Sequence, residues 1–218
     1  KKYKAVFFDF DGVIGKTMED NYRAWKYAFC KYNIPVDKTE YFLMEGMSAK
    51  KIAEHFLKNN RKNNVMVEKL VKSKEEHYAK NNSFKLYPGV KQLIPFLKKK
   101  GCLLGLVSGG SYRRISNSLK TELLKCFDVI ITGDKIKKCK PHPESYLTAA
   151  KKLFVKPSHC LAVENSPLGI ESAKRARMDC VAVCSTLDKK YLKKADVVLD
   201  KLTKLKILLE GMNHELKQ

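Results

Sequence analysis

Short runs of apolar residues recur along the chain, and each predicts a β-strand. The runs are continuous instead of alternating with polar positions, which is typical of parallel strands covered on both faces. They lie at 3–8, 102–108, 128–132, 160–165, 180–185 and 196–199. Helical patterns separate them at 90–100, 112–125, 143–154 and 167–177. The alternation predicts an α/β fold built on a doubly wound parallel sheet with right-handed crossovers.

One long segment interrupts this alternation. After the first strand, the residues up to about 85 contain no convincing strand and show helical patterns at 19–32, 48–60 and 65–81. The turn residues of "LYPGV" (86–90) then precede the next α/β unit. We therefore expect a core domain formed by 1–15 and 86–218, with an inserted all-helical cap domain at 16–85.

Composition indicates a globular protein, because 44% of the 218 residues are hydrophobic and 31% are charged. The 44 basic residues exceed the 23 acidic ones and give a net charge of +21. Such a charge suits a nucleic acid, a membrane surface or an anionic substrate. The lysines are spread along the chain without interleaved aromatic residues, so we interpret them as solvated surface and expect no nucleic-acid partner.

The cellular location and the oligomeric state can be inferred only from signals that the sequence lacks. The sequence contains no apolar run long enough to span a membrane, and acidic residues interrupt its N-terminal apolar stretch, unlike a signal peptide. Its seven cysteines are scattered without CxxC pairs, which favours buried thiols in a reducing compartment over a zinc site. We expect a cytoplasmic protein without a membrane partner, and a monomer in preference to a dimer.

Polar residues follow four of the predicted strands at the point where each strand ends. Because the carboxyl ends of parallel strands meet at one edge, these side chains are expected to share a crevice. The candidates are Asp9, Asp11 and Gly12 after the first strand, Ser108 and Gly109 after the second, Lys140 after the third, and Glu164 with Asn165 at the end of the fourth.

The same segments carry a family resemblance. "DFDGVI", "VSGGS", "KPHPESY" and "AVENSPLGIESAKRA" resemble the four motifs of the haloacid dehalogenase superfamily. The similarity is greatest to its phosphatases and β-phosphoglucomutase-like members with a helical cap, and it extends over the whole chain. It implies a Rossmann-like core and a hydrolase acting on a small phosphorylated substrate.

The resemblance also implies catalytic roles. Asp9 would be the nucleophile that forms an aspartyl-phosphate, and Asp11 the general acid/base. Ser108 and the Gly109 amide would hold phosphate oxygens, while Lys140 would supply a fixed positive charge. Gly12 would allow the backbone to turn tightly around the phosphate.

A magnesium site is the expected cofactor site. Mg²⁺ prefers a few protein oxygens together with waters and substrate phosphate. Asp9, the backbone carbonyl of Asp11 and one of the pair Glu164 and Asn165 would supply those oxygens. The commonest family pattern has an acid where Asn165 stands, so we expect weaker metal binding unless Glu164 compensates.

Three functions compete. In β-phosphoglucomutases a cap histidine and basic residues around a Gly-x-Ser assist the transfer, and this chain has Asn21, Glu45 and Ala49 at those places, with Lys16 replacing an acid at the hinge. These differences favour a phosphatase over a sugar phosphomutase. A catalytically weak protein that binds a phosphorylated ligand is the third alternative, and the presence of both aspartates and Lys140 argues against it.

Substrate choice is assigned to the cap. We expect the loop 44–51 to close over the substrate, where Glu45, Ser48 and Lys50 would bind hydroxyls or a second anionic group. The alternative for these three residues is ordinary polarity at a helix start. Arg113 and Arg114 are near enough to contact substrate, although a solvated helix face is favoured, and Trp25 is assigned to cap packing. A sugar, polyol or hydroxy-acid phosphate is the expected substrate.

Overall fold

The computed structural model describes residues 3–62 and 65–214, and within them the six predicted strands form one parallel sheet. The strand order is β3-β2-β1-β4-β5-β6. Positions 1–2, 63–64 and 215–218, which belong to the predicted core and cap ranges, lie outside the described residues. The strands are β1 (Ala5–Asp9), β2 (Leu103–Val107), β3 (Val129–Ile131), β4 (Cys160–Glu164), β5 (Asp179–Val183) and β6 (Val197–Leu199).

Strand β1 occupies the middle of the sheet. This position explains why its sequence is a continuous apolar run. It pairs with β2 on one side and β4 on the other, and all its residues are buried. Val6 and Phe8 pack into the hydrophobic cluster on one face of the sheet, whereas Ala5 and Phe7 pack into the cluster on the other. The predicted doubly wound α/β fold is confirmed.

Helices cover both faces of this sheet. Those of the core are α5 (Val90–Lys99), α6 (Tyr112–Ser118), α7 (Thr121–Leu124), α8 (Glu144–Lys152), α9 (Pro167–Arg175) and α10 (Lys204–His214). Helix α9 begins as its sequence predicts, because the Ser166 side chain accepts a hydrogen bond from the Gly169 amide. The single helix predicted at 112–125 is wrong. Leu119 is extended and turns its side chain into the core, which divides the segment into α6 and α7.

Four helices lie between β1 and α5, all within the predicted cap. They are α1 (Met18–Cys30), α2 (Lys38–Leu43), α3 (Ala49–Asn59) and α4 (Val67–Asn81). Helix α2 was not predicted, although Asp37, whose side chain accepts from the Glu40 amide, is a helix-start signal. The four helices enclose a hydrophobic cluster of their own, to which the core contributes Leu187. This separate cluster supports the division at 16–85, which stays a prediction.

The two chain crossings between the helical insert and the core run side by side. The Lys16 amide donates to the Lys85 carbonyl (2.8 Å), and the Tyr87 amide donates to the Ile14 carbonyl (2.9 Å). Gly15 and Leu86 form an isolated bridge between the crossings. The insert is thus joined to the core through one short paired segment.

The expectation of buried thiols holds for Cys160 and Cys180 in the sheet, whereas Cys30 is exposed and the remaining cysteines, Cys102, Cys126, Cys139 and Cys184, are partly exposed. Burial raises the pKa of Cys160 to about 12, so its thiol is held in the protonated form. Among the helices of the described chain, none has the length and apolarity needed to cross a bilayer.

Candidate active site

The loop after β1 places two carboxylates at the carboxyl edge of the sheet, beside the point where strand order reverses. Asp9 ends β1, and Asp9 and Asp11 are both almost fully buried. Gly12 has a φ of +90°, and a Cβ there would lie 2.1 Å from the side-chain nitrogen of Asn165. Only glycine therefore lets this loop approach the end of β4.

Lys140 joins the two central strands of the site. Its Nζ donates to Asp9 Oδ1 (2.5 Å) and to Glu164 Oε1 (2.6 Å), and the lysine side chain is 2% exposed. The Tyr146 hydroxyl donates to the same Glu164 oxygen (2.6 Å). The ammonium is therefore held by carboxylates from β1 and β4, in the position expected for a fixed charge beside the nucleophile.

The pKa values of Asp9 and Lys140 show how strongly the site depends on its cations. Burial, partly offset by Lys140, raises the pKa of Asp9 to about 8, and the charges of Glu164 and Asp11 add to the increase. Burial alone would lower the pKa of Lys140, but Asp9 and Glu164 raise it above its ordinary value. Lys140 is protonated, and further positive charge beside Asp9 would favour the carboxylate that nucleophilic attack requires.

At the ends of β1 and β4, Asp9 Oδ2 and Asn165 Oδ1 are buried and have no hydrogen-bond partner among the residues that the structure describes. The side-chain amide of Asn165 is held in its orientation by a hydrogen bond from its Nδ2 to Thr186 Oγ1 (3.0 Å). Buried polar atoms are nearly always paired, so unpartnered oxygens of a carboxylate and an amide fit a hard cation such as Mg²⁺.

Glu164 is less suited to the metal than Asn165. Its Oε1 accepts hydrogen bonds from Lys140 and Tyr146. Its Oε2 accepts one from the backbone N–H of Asn165 (3.2 Å). Within the described residues no group of three or more His, Cys, Asp or Glu side chains is placed to hold a metal. A site here would therefore depend on an amide and backbone oxygens in addition to Asp9.

Asp11 is surrounded by donors from both domains. Thr17 Oγ1 donates to Asp11 Oδ1 (2.5 Å), and the Arg114 guanidinium donates to Oδ1 (2.6 Å) and Oδ2 (2.5 Å). Burial alone would raise the pKa of Asp11, but Arg114 and Thr17 lower it below its ordinary value. These donors favour the ionised form of Asp11.

The expectation of a solvated face for Arg114 is wrong. Its side chain is only 10% exposed, whereas Arg113 beside it is exposed. Helix α6 is short and starts directly at the active-site edge. Of its two adjacent arginines, Arg113 therefore faces solvent and Arg114 faces the site. The sequence signal was the second glycine of "SGG", because a Cβ on Gly110 would lie 2.0 Å from the Arg114 guanidinium.

Ser108 and Gly109 lie beside the aspartates, as their place after β2 predicts. Ser108 is buried, its Oγ accepts from the Gly110 amide (3.0 Å), and it lies 3.4 Å from Asp11 Oδ2. A Cβ on Gly109 would approach the Gly46 carbonyl to 3.1 Å. The glycine thus leaves room for the cap loop to close on the core.

Part of the cap loop 44–51 contacts the core at this edge, while its closure over a substrate stays a prediction. A Cβ on Gly46, which has a φ of +97°, would lie 2.8 Å from the Lys140 side chain, and Ser166 Oγ donates to the Glu45 carbonyl (3.3 Å). The Glu45 side chain enters the enclosed space, where burial raises its pKa well above the usual value and Asp11 and Asp9 add to the increase.

Ser48 and Lys50 do not line this space. Ser48 caps α3 by accepting from the Lys51 amide (3.4 Å), and the Lys50 side chain is 68% exposed, 3.9 Å from Glu54. The structure therefore favours the helix-start alternative for both residues.

A small cavity of about 50 Å³ lies between cap and core. Asp11, Gly109, Gly110 and Arg114 line it from the core, and Asn21, Trp25, Tyr41, Glu45 and Lys74 are among the cap residues that line it. Trp25 packs in the cap as expected, stacked on Phe29, and also faces the cavity. Lys74, buried and donating to Asn21 Oδ1 (2.7 Å), was missed, since nothing in the sequence separates it from the many surface lysines.

Comparison with known proteins agrees with this architecture and its motifs. The sequence model of a family described as haloacid dehalogenase-like hydrolase matches residues 6–183. The chain belongs to this family. The matched region includes the helical insert and the core as far as the end of β5, so the family that the four motifs indicated is confirmed.

Individual relatives include phosphatases and phosphomutases. Validoxylamine A 7'-phosphate phosphatase of Streptomyces hygroscopicus subsp. limoneus is 31% identical over 215 residues, covering 94% of this chain and 96% of the relative. The β-phosphoglucomutase of Bacillus subtilis is 32% identical over 189 residues, covering 83% of each chain. The solved β-phosphoglucomutase of Clostridium difficile is 28% identical, with a TM-score of 0.85 over 99% of this chain and 100% of that one.

Proposed function

We propose that this protein is a Mg²⁺-dependent phosphomonoester hydrolase that acts on a sugar, polyol or hydroxy-acid phosphate through an aspartyl-phosphate on Asp9. The observation that carries the proposal is the state of the Asp9 carboxylate. One oxygen is held by the buried ammonium of Lys140, and the other is buried without a partner. Asp11, with the opposite pKa shift, lies two residues away.

Asp9 Oδ2, Asn165 Oδ1 and the backbone carbonyl of Asp11 are the proposed metal ligands. The two side-chain oxygens are the unpartnered ones, while Glu164 is assigned to holding Lys140. When bound, Mg²⁺ supplies positive charge that neutralises phosphate oxygens and favours ionised Asp9.

In the proposed first step, an Asp9 oxygen attacks phosphorus while the bond to the ester oxygen breaks. Asp11, which must first take up a proton from solvent because its pKa is lowered, gives that proton to the ester oxygen, which leaves as an alcohol. In the second step Asp11 removes a proton from water, the water oxygen attacks phosphorus, and the bond to Asp9 breaks to release phosphate. Lys140, Ser108 and the Gly109 amide stabilise charge on the phosphoryl oxygens in both steps.

Relatives support the class of substrate. The interpretation of the chain as a hydrolase of phosphoric monoesters agrees with relatives that are named phosphatases. Beyond validoxylamine A 7'-phosphate phosphatase, they include hexitol phosphatase A of Escherichia coli and a phosphorylated carbohydrates phosphatase of Thermotoga maritima. Trp25 and Tyr41, with Asn21 and Glu45 in the same cavity, offer aromatic faces and hydrogen-bonding groups suited to a carbohydrate.

A sugar phosphomutase is the second candidate, because the β-phosphoglucomutase relative is as similar as the phosphatase. Asn21 and Glu45 line the cavity in place of the histidine and the basic residue expected of a mutase. Arg114 and Lys74 nevertheless supply two buried cations. A catalytically weak phosphate-binding protein fits less well, since Asp9, Asp11 and Lys140 are brought together.

Phosphate release from a panel of phosphorylated sugars, polyols and hydroxy acids tests the proposal. We expect release that requires Mg²⁺, stops with EDTA, and falls by roughly a thousandfold or more in Asp9→Asn. Asp188→Asn, an exposed aspartate elsewhere, serves as the matched control and should retain activity. Absence of release from every panel member and from an aryl phosphate, or release that survives Asp9→Asn, contradicts it. Conversion of β-glucose 1-phosphate to the 6-phosphate faster than phosphate release would favour the mutase.

A further inference from the structure

Arg114 holds both oxygens of the carboxylate proposed as the acid/base. Its two terminal nitrogens donate to Asp11 Oδ1 (2.6 Å) and Oδ2 (2.5 Å), a bidentate arrangement that ranks among the stronger hydrogen-bonded pairs in proteins. Thr17 also donates to Oδ1. Both oxygens of Asp11 are thus engaged by donors.

The position of Arg114 depends on both domains. Its guanidinium carbon lies 5.6 Å from the centre of the Phe10 ring in the core and 5.5 Å from that of Tyr78 in the cap. On the core side, the missing side chain of Gly110 leaves the space that the guanidinium fills. The contact with Asp11 is therefore built into the closed arrangement and is not a chance surface pair.

This arrangement conflicts with the first step of the proposed reaction. Asp11 cannot pass a proton to an ester oxygen while a guanidinium occupies both of its oxygens. At least one Arg114 bond must break, and a buried guanidinium that loses a carboxylate partner requires another acceptor. Arg114 lines the cavity that the leaving group must enter, as do Lys74 and the acidic Glu75, and a polar leaving group in that cavity would offer Arg114 an acceptor beside Asp11.

We propose that Arg114 is a specificity-determining residue that exchanges a hydrogen bond from Asp11 to an oxygen of the leaving group. This inference rests on the proposed phosphatase function. It also names the preferred substrates, which are esters whose alcohol carries hydrogen-bond acceptors near the ester oxygen. A polar leaving group takes one Arg114 bond and frees Asp11 to protonate the ester oxygen. An apolar leaving group gives Arg114 no acceptor, so the contact with Asp11 persists and the ester reacts slowly.

A matched pair of esters tests the exchange. A pentitol phosphate and n-pentyl phosphate have the same carbon number, and both leave as primary alcohols that require a proton. We expect Arg114→Met to lower the ratio of their kcat/KM values by about tenfold or more, with the absolute rate for n-pentyl phosphate rising. A rate increase cannot arise from general damage to the fold. Para-nitrophenyl phosphate, whose leaving group needs no proton, should show no rate increase in the same variant.

Two further variants complete the experiment. Gly110→Ala keeps the arginine but displaces its guanidinium, so it should lower the same ratio. Arg113→Met removes the exposed neighbour on the same helix and should leave the ratio unchanged. An unaltered ratio in Arg114→Met or Gly110→Ala, equal losses on all three esters, or no preference for the pentitol ester in the unaltered enzyme overturns the inference. If the unaltered enzyme releases phosphate from none of the esters, the proposed function fails and the inference with it.

Discussion

Lys140 Nζ lies 2.5 Å from Asp9 Oδ1 and 2.6 Å from Glu164 Oε1, so one buried ammonium joins the ends of strands β1 and β4. These strands are neighbours in the sheet. The pairing supplies a counter-charge to two buried carboxylates, and it places the charge of Lys140 beside the proposed nucleophile. Stability and chemistry of the site therefore depend on the same side chain.

Replacing Lys140 with methionine should destabilise the protein by about 3–5 kcal/mol, because two buried carboxylates lose their counter-charge. Denaturant unfolding in EDTA at neutral pH measures this change. Lys138→Met removes an exposed lysine nearby and is expected to have little effect. Adding Glu164→Gln to Lys140→Met should recover part of the loss. Equal stability of the two single variants would contradict the account.

Asn165→Asp should bind Mg²⁺ about tenfold more tightly, since a second carboxylate adds charge to the proposed site, and tenfold corresponds to about 1.4 kcal/mol. Calorimetric titration with Mg²⁺ alone measures the affinity without turnover. Asn81→Asp makes the same change of charge at an exposed position and is the control. If Asn165→Asp and the unaltered protein bind with equal affinity, Asn165 is not a ligand.

Glu45→Gln should change how stability depends on pH. Burial, with Asp11 and Asp9, raises the pKa of Glu45 above its ordinary value of 4.5, so the folded protein favours its neutral form. The contribution of Glu45 is fully present below that ordinary value and is lost as pH rises through the folded pKa. Unfolding in EDTA at acidic and at mildly alkaline pH should show Glu45→Gln gaining stability relative to the unaltered protein as pH rises.

Glu54→Gln is the control for this measurement, because Glu54 is exposed on the neighbouring helix α3. Its stability difference from the unaltered protein should not vary with pH. A pH-independent difference for Glu45→Gln as well would show that the Glu45 carboxyl is not neutralised by its surroundings.

Gly46→Ala should impair cap closure. The new Cβ would meet the Lys140 side chain at 2.8 Å, and a positive φ costs a residue with a Cβ about 1–2 kcal/mol. We expect kcat/KM on the best panel substrate to fall by about tenfold or more. Gly101→Ala carries a similar backbone penalty, with a φ of +76°, but its Cβ has no neighbour within 4 Å. Activity lost equally in both variants would mean that closure over Lys140 is not the cause.

The strand ends could be located from the sequence because the signal is local. Buried parallel strands are short apolar runs, and a polar residue at the end of each run must lie at the same edge of the sheet. Asp9, Ser108, Lys140 and Glu164 were found in this way, and the structure brings them together at that edge. The family followed from the same residues.

Local sequence patterns did not predict the structure where a residue distant in the chain determines whether a side chain is buried. Leu119 breaks a helix because the core accepts its side chain, and Lys74 is buried where Asn21, from another cap helix, accepts a hydrogen bond from its ammonium. Neither residue differs in its local sequence from exposed residues of the same type.

The sequence by itself determined the alternating α/β order, the inserted helices and the polar residues at the strand ends, since each depends on hydrophobic periodicity and on residues close in the chain. Only the tertiary structure decided which polar groups are partnered. Arg114 reaches Asp11 across 103 positions, and Asn165 keeps an unpartnered oxygen while Glu164 does not. Burial and pairing are properties of the assembled edge, where residues from separate strands and from the cap first share a low-dielectric space.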